Sequence, residues 1–276
     1  MSHTILKYGQ YTKRFLDNRG ALCSGQELEN MEVVYKFGHN DAIGTTYSIV
    51  SENGLCRTPL PANATTLRIK AGGHADDTAG GAGARSIVLQ GIGSDGSDIQ
   101  EVVVTAGVSA SESTVQTFMR LYRAVVLETG GYSTDLLGGG QAATITIENT
   151  AGTEDWQLIR FNGFADCQSQ TSCYSVGAGK RAYLSGINLF VDSLKAVDFL
   201  LVFRANFMQI TPGFQPVRVG SELNGVQGAF NYAFPEPPRF FEFTDIALLA
   251  KVGTGTAAVS ANLTYITNKN GSASQP

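Results

Sequence analysis

The stretch with the plainest chemical promise is Gly177-Ala178-Gly179-Lys180, where glycines that free the backbone precede a lysine. A nucleotide-phosphate loop needs Gly, four residues, then Gly-Lys-Ser/Thr. Its backbone N–H groups cradle the phosphates and its hydroxyl holds a magnesium ion. Here Tyr174 stands five positions before Gly179, and Arg181 follows Lys180. The next residues, "RAYLSGINLF", have strand composition, so no helix N-terminus faces an anion. The expectation is a β-turn supplied by Gly177 and Gly179.

Other constellations are thinner. His74-Ala75-Asp76-Asp77 offers one imidazole and two carboxylates, enough in type for a metal or an acid/base set. The chain has only His39 and His3 besides, so Asp76 and Asp77 are expected to stabilise a glycine-rich turn instead. His39-Asn40-Asp41 could orient an imidazole, but no paired nucleophile is evident. "GIGSDG" misses the Gly-x-Ser-x-Gly elbow because Ile92 occupies the first glycine position. Trp156 could stack a sugar, although a single Trp in a β block is more often core. Phe240, Phe241 and Phe243 are expected to alternate between core and a subunit interface. Cys23, Cys56, Cys167 and Cys173 lack zinc-knuckle or redox spacing. Cys167 and Cys173 flank "QSQTS" and could face each other across a hairpin; free thiols are the expectation for a chain made in a cytosol. No catalytic, cofactor-binding or metal-ligating residue is assigned.

Bulk properties narrow the classes. The 276 residues suit one large or two ordinary domains. Lys and Arg number 20 against 24 Asp and Glu, a net charge of −4, too mild to indicate nucleic acid or an anionic membrane as partner. Charged residues are 16% of the chain, against roughly 25% ordinarily, and Gly numbers 32. A polar but weakly charged surface suits faces covered by neighbours. The longest apolar runs, such as "AVDFLLVF" from Ala196, fall far short of the ~20 residues of a spanning helix. The first residues show no secretory pattern.

The elements that would carry these residues read as strands. "MEVVYKFG", "TTYSIV" and "TTLRIKA" are β-branched or alternating. "RSIVLQGIGSDGSDIQEVVV" predicts a hairpin, with Ile87 and Leu89 on one face and the turn at Ser94–Asp98. "ESTVQTFMRLYRAVVLE" places Val115, Phe118, Met119, Tyr122 and Val125 at helical spacing, yet its composition suits a strand, the reading its β neighbours favour. "AVDFLLVFRANF" is expected to be buried on both faces, and "AAVSANLTYIT" to be a final alternating strand. Short strands with turn signals between them predict an all-β chain. The expected organisation is two β-sandwich or jelly-roll-like domains, 31–150 and 151–268. They follow an extended N-terminal arm over 1–30 and precede a flexible tail over 269–276.

The order of segments also resembles a family. "FGHNDAIGTTYSIVSENG", "DDTAGGAGARSIVLQGIGSDGSDIQEVVV", "TFMRLYRAVVLETGGY", "CYSVGAGKRAYLSGINLFV", "FEFTDIALLAKV" and "VSANLTYI" are similar to a pattern in virion structural proteins of tailed bacteriophages, many from aquatic hosts. The similarity covers most of residues 35–267. Its most specific part is "DTAGGAGAR" before a hairpin. Next is "VGAGKRAYL", where Gly177 stands in place of the usual Pro. The resemblance implies a non-enzymatic particle component without cofactors, made in the host cytoplasm and located in the virion. Expected partners are other virion proteins, the major capsid protein or tail proteins, and further copies of itself; nucleic acid and membrane are not expected. A capsid decoration or cement protein in a symmetric oligomer, its arm latched to a neighbour, is the leading expectation. A tail, collar, baseplate or fibre component, with a host surface glycan as its candidate ligand, is the alternative.

Overall fold

The computed structural model describes residues 31–268 except 135, 137, 193, 210 and 212. The expected arm and tail, and Cys23, lie outside the described residues.

The first half of the chain forms β1 (Met31–Ile43), β2 (Ser48–Ile49), β3 (Leu67–Ile69), β4 (Ala84–Gly93), β5 (Asp98–Val104), β6 (Phe118–Thr129), β7 (Ile145–Asn149) and β8 (Asp155–Ile159). The second forms β9 (Tyr174–Ser175), β10 (Arg181–Val191), β11 (Val197–Arg204), β12 (Arg218–Val226), β13 (Ala229–Ala233), β14 (Arg239–Phe240), β15 (Asp245–Val252) and β16 (Ala257–Asn268). Among the described residues the only helical element is one 3-10 turn at Pro61–Asn63. The all-β expectation holds, and the sheets are antiparallel throughout.

The segment 112–128 enters β6 as a strand, so β-branched and aromatic composition prevails over its helical spacing. The Ile87/Leu89 hairpin is β4–β5, in register from Ser86↔Val104 to Ile92↔Asp98. β11 departs from expectation. Val197, Phe199 and Leu201 are buried, while Asp198 and Leu200 are partly exposed, so it buries one face mainly.

Four sheets make two packed units. In the larger, β1-β16-β10-β13, with β14 on β10, faces β12-β11-β15-β2, with β9 on β15. Tyr265, Leu263, Leu184 and Leu189 from the first sheet meet Phe199, Leu201 and Leu248 from the second. In the smaller, β5-β4-β6 packs on β3-β7-β8 over Leu67, Ile87, Leu89, Phe118, Ile147 and Trp156.

These sheets cross the division expected near 149–154. β1 pairs with β16 from Met31↔Asn268 to Ile43↔Ala257, and β2 pairs with β15. β8, beyond that division, pairs back onto β7. The sandwich is therefore β1–β2 plus β9–β16, with β3–β8 inserted between. Alternation predicts a strand's existence and buried face; it carries no information on a partner more than two hundred residues away.

Candidate binding surfaces

The Gly177–Lys180 turn is a docking turn. The Ala178 N–H donates to Gly96 O at 2.8 Å, and the Gly179 N–H to Glu242 Oε2 at 2.7 Å. Lys180 Nζ lies 2.7 Å from Asp98 Oδ2. Gly179 has φ of 70°, the left-handed region glycine adopts freely. Of the donors that would hold a phosphate, the Ala178 N–H and Lys180 thus hold the β4–β5 hairpin against the sandwich, and the Gly179 N–H is taken by Glu242.

The glycine-rich loop is organised by Asp77, which is 3% exposed. Its carboxylate accepts from the N–H of Ala84 at 2.7 Å, Ala142 at 2.9 Å and Ala143 at 3.2 Å. A Cβ on Gly81 would sit 2.0 Å from Asp76 O, and one on Gly83 2.2 Å from Asp77 Oδ1, so the loop closes only with glycine at both. Asp76 and His74 are both exposed. The turn-stabilising expectation is met by Asp77, and "DTAGGAGAR" specifies a fold element.

The structure adds a hydroxyl that the sequence did not reveal. Ser260 on β16 lies opposite His39 on β1, and its Oγ is 2.8 Å from His39 Nδ1. His39 Nε2 lies 2.7 Å from Asp41 Oδ1. This is the hydrogen-bond order of nucleophile, base and orienting acid. Two further contacts bear on it. Ser260 pairs on both sides, with His39 and with Phe190, so its own backbone is committed to the ladder and leaves no N–H for an oxyanion. Asp41 is also held by the Arg160 guanidinium.

Trp156 is 2% exposed in the small core, which removes it as a sugar platform. Phe240 is buried, Phe241 lies beneath the Arg181 and Arg239 guanidiniums, and Phe243 stacks edge-on against Phe207.

Two outward faces stand out. On the outer face of the β1-β16-β10-β13 sheet, Asn262, Asn188 and Asn231 lie opposite one another across three strands. Beside them Tyr35, 64% exposed, and Thr264 edge a groove of about 410 Å³ with no charged residue in its lining. On β5-β4-β6, Val102, Val88 and Val125 form one cross-strand row. Val102 is 49% and Val104 54% exposed, and Leu127 is exposed beside them. The rim is polar: Gln90 donates to Gln100 at 3.0 Å, and Arg85 lies 3.6 Å from Glu128. The face thus sets exposed aliphatic side chains within a polar rim on a sheet edged by β5.

The junction between the units holds buried charge. Arg120 on β6 makes two hydrogen bonds to Asp245 on β15, at 2.8 and 2.9 Å, and lies 4.7 Å over the Phe207 ring. Ser175 Oγ donates to the same carboxylate at 2.7 Å. Lys36 on β1 is buried and donates to Tyr122 O on β6. Burial, aided by the Arg123 charge, pushes it down to about 7. Glu52 shares Arg160 with Asp41 and Asp166; burial, then the Asp166 charge, pushes it up to about 8. Composition gave no sign of these groups, because each depends on a partner distant in sequence.

No family model and no curated relative matches the chain. Among solved structures it is similar to infectious bursal disease virus Gt strain, at 10% identity and TM-score 0.25, and Gx strain, at 12% and 0.25. It is also similar to the VP2 subviral particle of that virus, at 14% identity and TM-score 0.20. Each overlap covers 89% of this chain and 74% of the other. At these scores the overlap is too small to define a common fold.

Proposed function

We propose that this chain is a non-enzymatic structural protein of a tailed-bacteriophage virion, a capsid decoration or cement protein that self-associates into a symmetric oligomer. The carrying observation is the exposed trio Val102, Val104 and Leu127, seated beside buried Val88 and half-buried Val125 on one sheet and rimmed by Gln90, Gln100, Arg85 and Glu128. A second copy of the chain is its occupant. The "DTAGGAGAR" and "VGAGKRAYL" segments, which carry the family resemblance, act as a loop lock and a docking turn, as scaffold motifs should. Cryo-electron microscopy of particles containing the chain tests the reading. Symmetric density over the head lattice is expected. Density confined to tail or vertex replaces decoration with the tail reading, and absence from particles overturns a virion role.

The alternative, a tail or fibre component that binds host glycan, is favoured by one observation: the uncharged asparagine row beside Tyr35. Amides and hydroxyls match sugar hydroxyls, and a tyrosine ring offers a stacking face. Glycan-array binding lost in Asn188→Ala, with melting unchanged, would establish it; an array without signal would remove it.

A further inference from the structure

The chain leaves the sandwich after β2 and returns to it before β9, and these two passages run antiparallel as a neck. The Ser172 N–H donates to Val50 O at 3.0 Å, and the Glu52 N–H to Gln170 O at 3.2 Å. Ser51 and Thr171 form a bridge between them. Cys56 lies just beyond this pairing on the outgoing passage, and Cys173 ends the returning one. The two thiols interact with each other, and the Cys173 N–H is anchored by Thr171 Oγ1 at 3.2 Å. Both are free, Cys173 buried and Cys56 half-buried. Cys167 is also free but meets Gln141, away from this contact.

We infer that Cys56 and Cys173 are a cross-linking site, a thiol pair that a hydroperoxide oxidises to a disulfide closing the neck of the inserted unit. Two thiols already in contact at the base of a long excursion are placed for this chemistry. The surroundings choose the nucleophile. The interaction with Cys56 holds the Cys173 thiol below its ordinary range, and the same interaction, with burial, pushes Cys56 well above it. The Lys36 ammonium acts in the same direction on Cys173, Asp245 acts against it, and Arg120 faces Cys56. The Cys173 thiolate attacks one peroxide oxygen; the O–O bond breaks, hydroxide leaves and takes up a proton, and a sulfenic acid remains. The Cys56 sulfur then attacks the sulfenic sulfur, the S–O bond breaks, and water leaves carrying the Cys56 proton. Two thiols are oxidised to one disulfide, and one hydrogen peroxide is reduced to two waters.

The bond would close the loop from residue 56 to residue 173. Restricting the unfolded chain this way raises the melting midpoint, by roughly 5–10 °C for a loop and protein of this size. The experiment treats the purified full chain with hydrogen peroxide, blocks remaining thiols with N-ethylmaleimide, and maps non-reduced peptides alongside thermal melting. Expected are a Cys56–Cys173 linked peptide, Cys167 alkylated, and a midpoint rise that dithiothreitol reverses and Cys56→Ser lacks. Alkylated Cys56 and Cys173 after peroxide, or either one linked to Cys23 or Cys167, would overturn the inference. So would sulfinic acid at Cys173 in place of the link.

Discussion

The sandwich and the inserted unit reach the same end by different means. The sandwich has long strands, such as β1 at 13 residues and β16 at 12, closed over Tyr265, Phe199 and Leu184. The inserted unit sets a sheet with strands of comparable length, β4 at 10 residues and β6 at 12, against a second sheet with β3 at 3 residues and β7 and β8 at 5 each. It replaces missing strand pairing with side chains. Ser111 Oγ accepts the Ile69 N–H at 2.8 Å and Thr114 Oγ1 the Leu67 N–H at 2.9 Å, while Ser111 N and Thr114 N donate back to Ile69 O and Leu67 O. Thr105 Oγ1 donates to Ala84 O, and Asp77 and Asn149 collect further N–H groups. The short-strand sheet β3-β7-β8 depends on individual polar residues, where the sandwich depends on distributed apolar burial.

Substitutions separate these two modes, and the junction should respond most. Arg120→Ala leaves Asp245 buried without its cation and is expected to cost about 3–5 kcal/mol. Calorimetry should then show the two units melting apart instead of together. Asp77→Ala strands three N–H groups and is expected to cost about 2–3 kcal/mol. Hydrogen exchange should locate that loss in β3–β8, with β10, β11, β15 and β16 still protected.

The pH dependence sharpens the junction's part. Glu52 is raised from 4.5 to about 8 by folding, so the folded state holds the extra proton between these values and stability falls as pH rises across them. Lys36 is lowered from 10.5 to about 7, so the unfolded state holds the extra proton there and stability rises with pH across that window. The melting midpoint should therefore pass through a minimum between about pH 7 and 8. Glu52→Gln should abolish the acid-side fall, and Lys36→Met the alkaline-side rise.

Ser260→Ala should change stability by about 1 kcal/mol or less, the scale of one part-exposed hydrogen bond. Hydrolysis of p-nitrophenyl acetate should run at the same rate with either protein. Turnover that depends on both Ser260 and His39 would contradict the non-enzymatic reading.

Strands were the legible part of the sequence. The β4–β5 hairpin, β6 and β16 follow from alternation, composition and the "SDGSD" turn, all of them local signals. Asp77's role was legible in kind, because a carboxylate in a glycine-rich loop has backbone donors close by. The inserted topology, the Ser260–His39 contact, the Arg120–Asp245 pair and the Cys56–Cys173 contact were not. Each joins residues more than a hundred positions apart, and residue type alone does not specify such a partner. Trp156 shows the same limit, since whether an indole is platform or core depends on the sheet packed against it.

Self-association through the valine row is tested by light scattering of the size-fractionated protein. Val102 is half-exposed, so Val102→Asp should shift stability by only about 0.5 kcal/mol. The account predicts an oligomer of fixed stoichiometry for the natural chain and a monomer for Val102→Asp with an unchanged melting midpoint. A natural chain that stays monomeric at every concentration, or an oligomer indifferent to Val102→Asp, would contradict it.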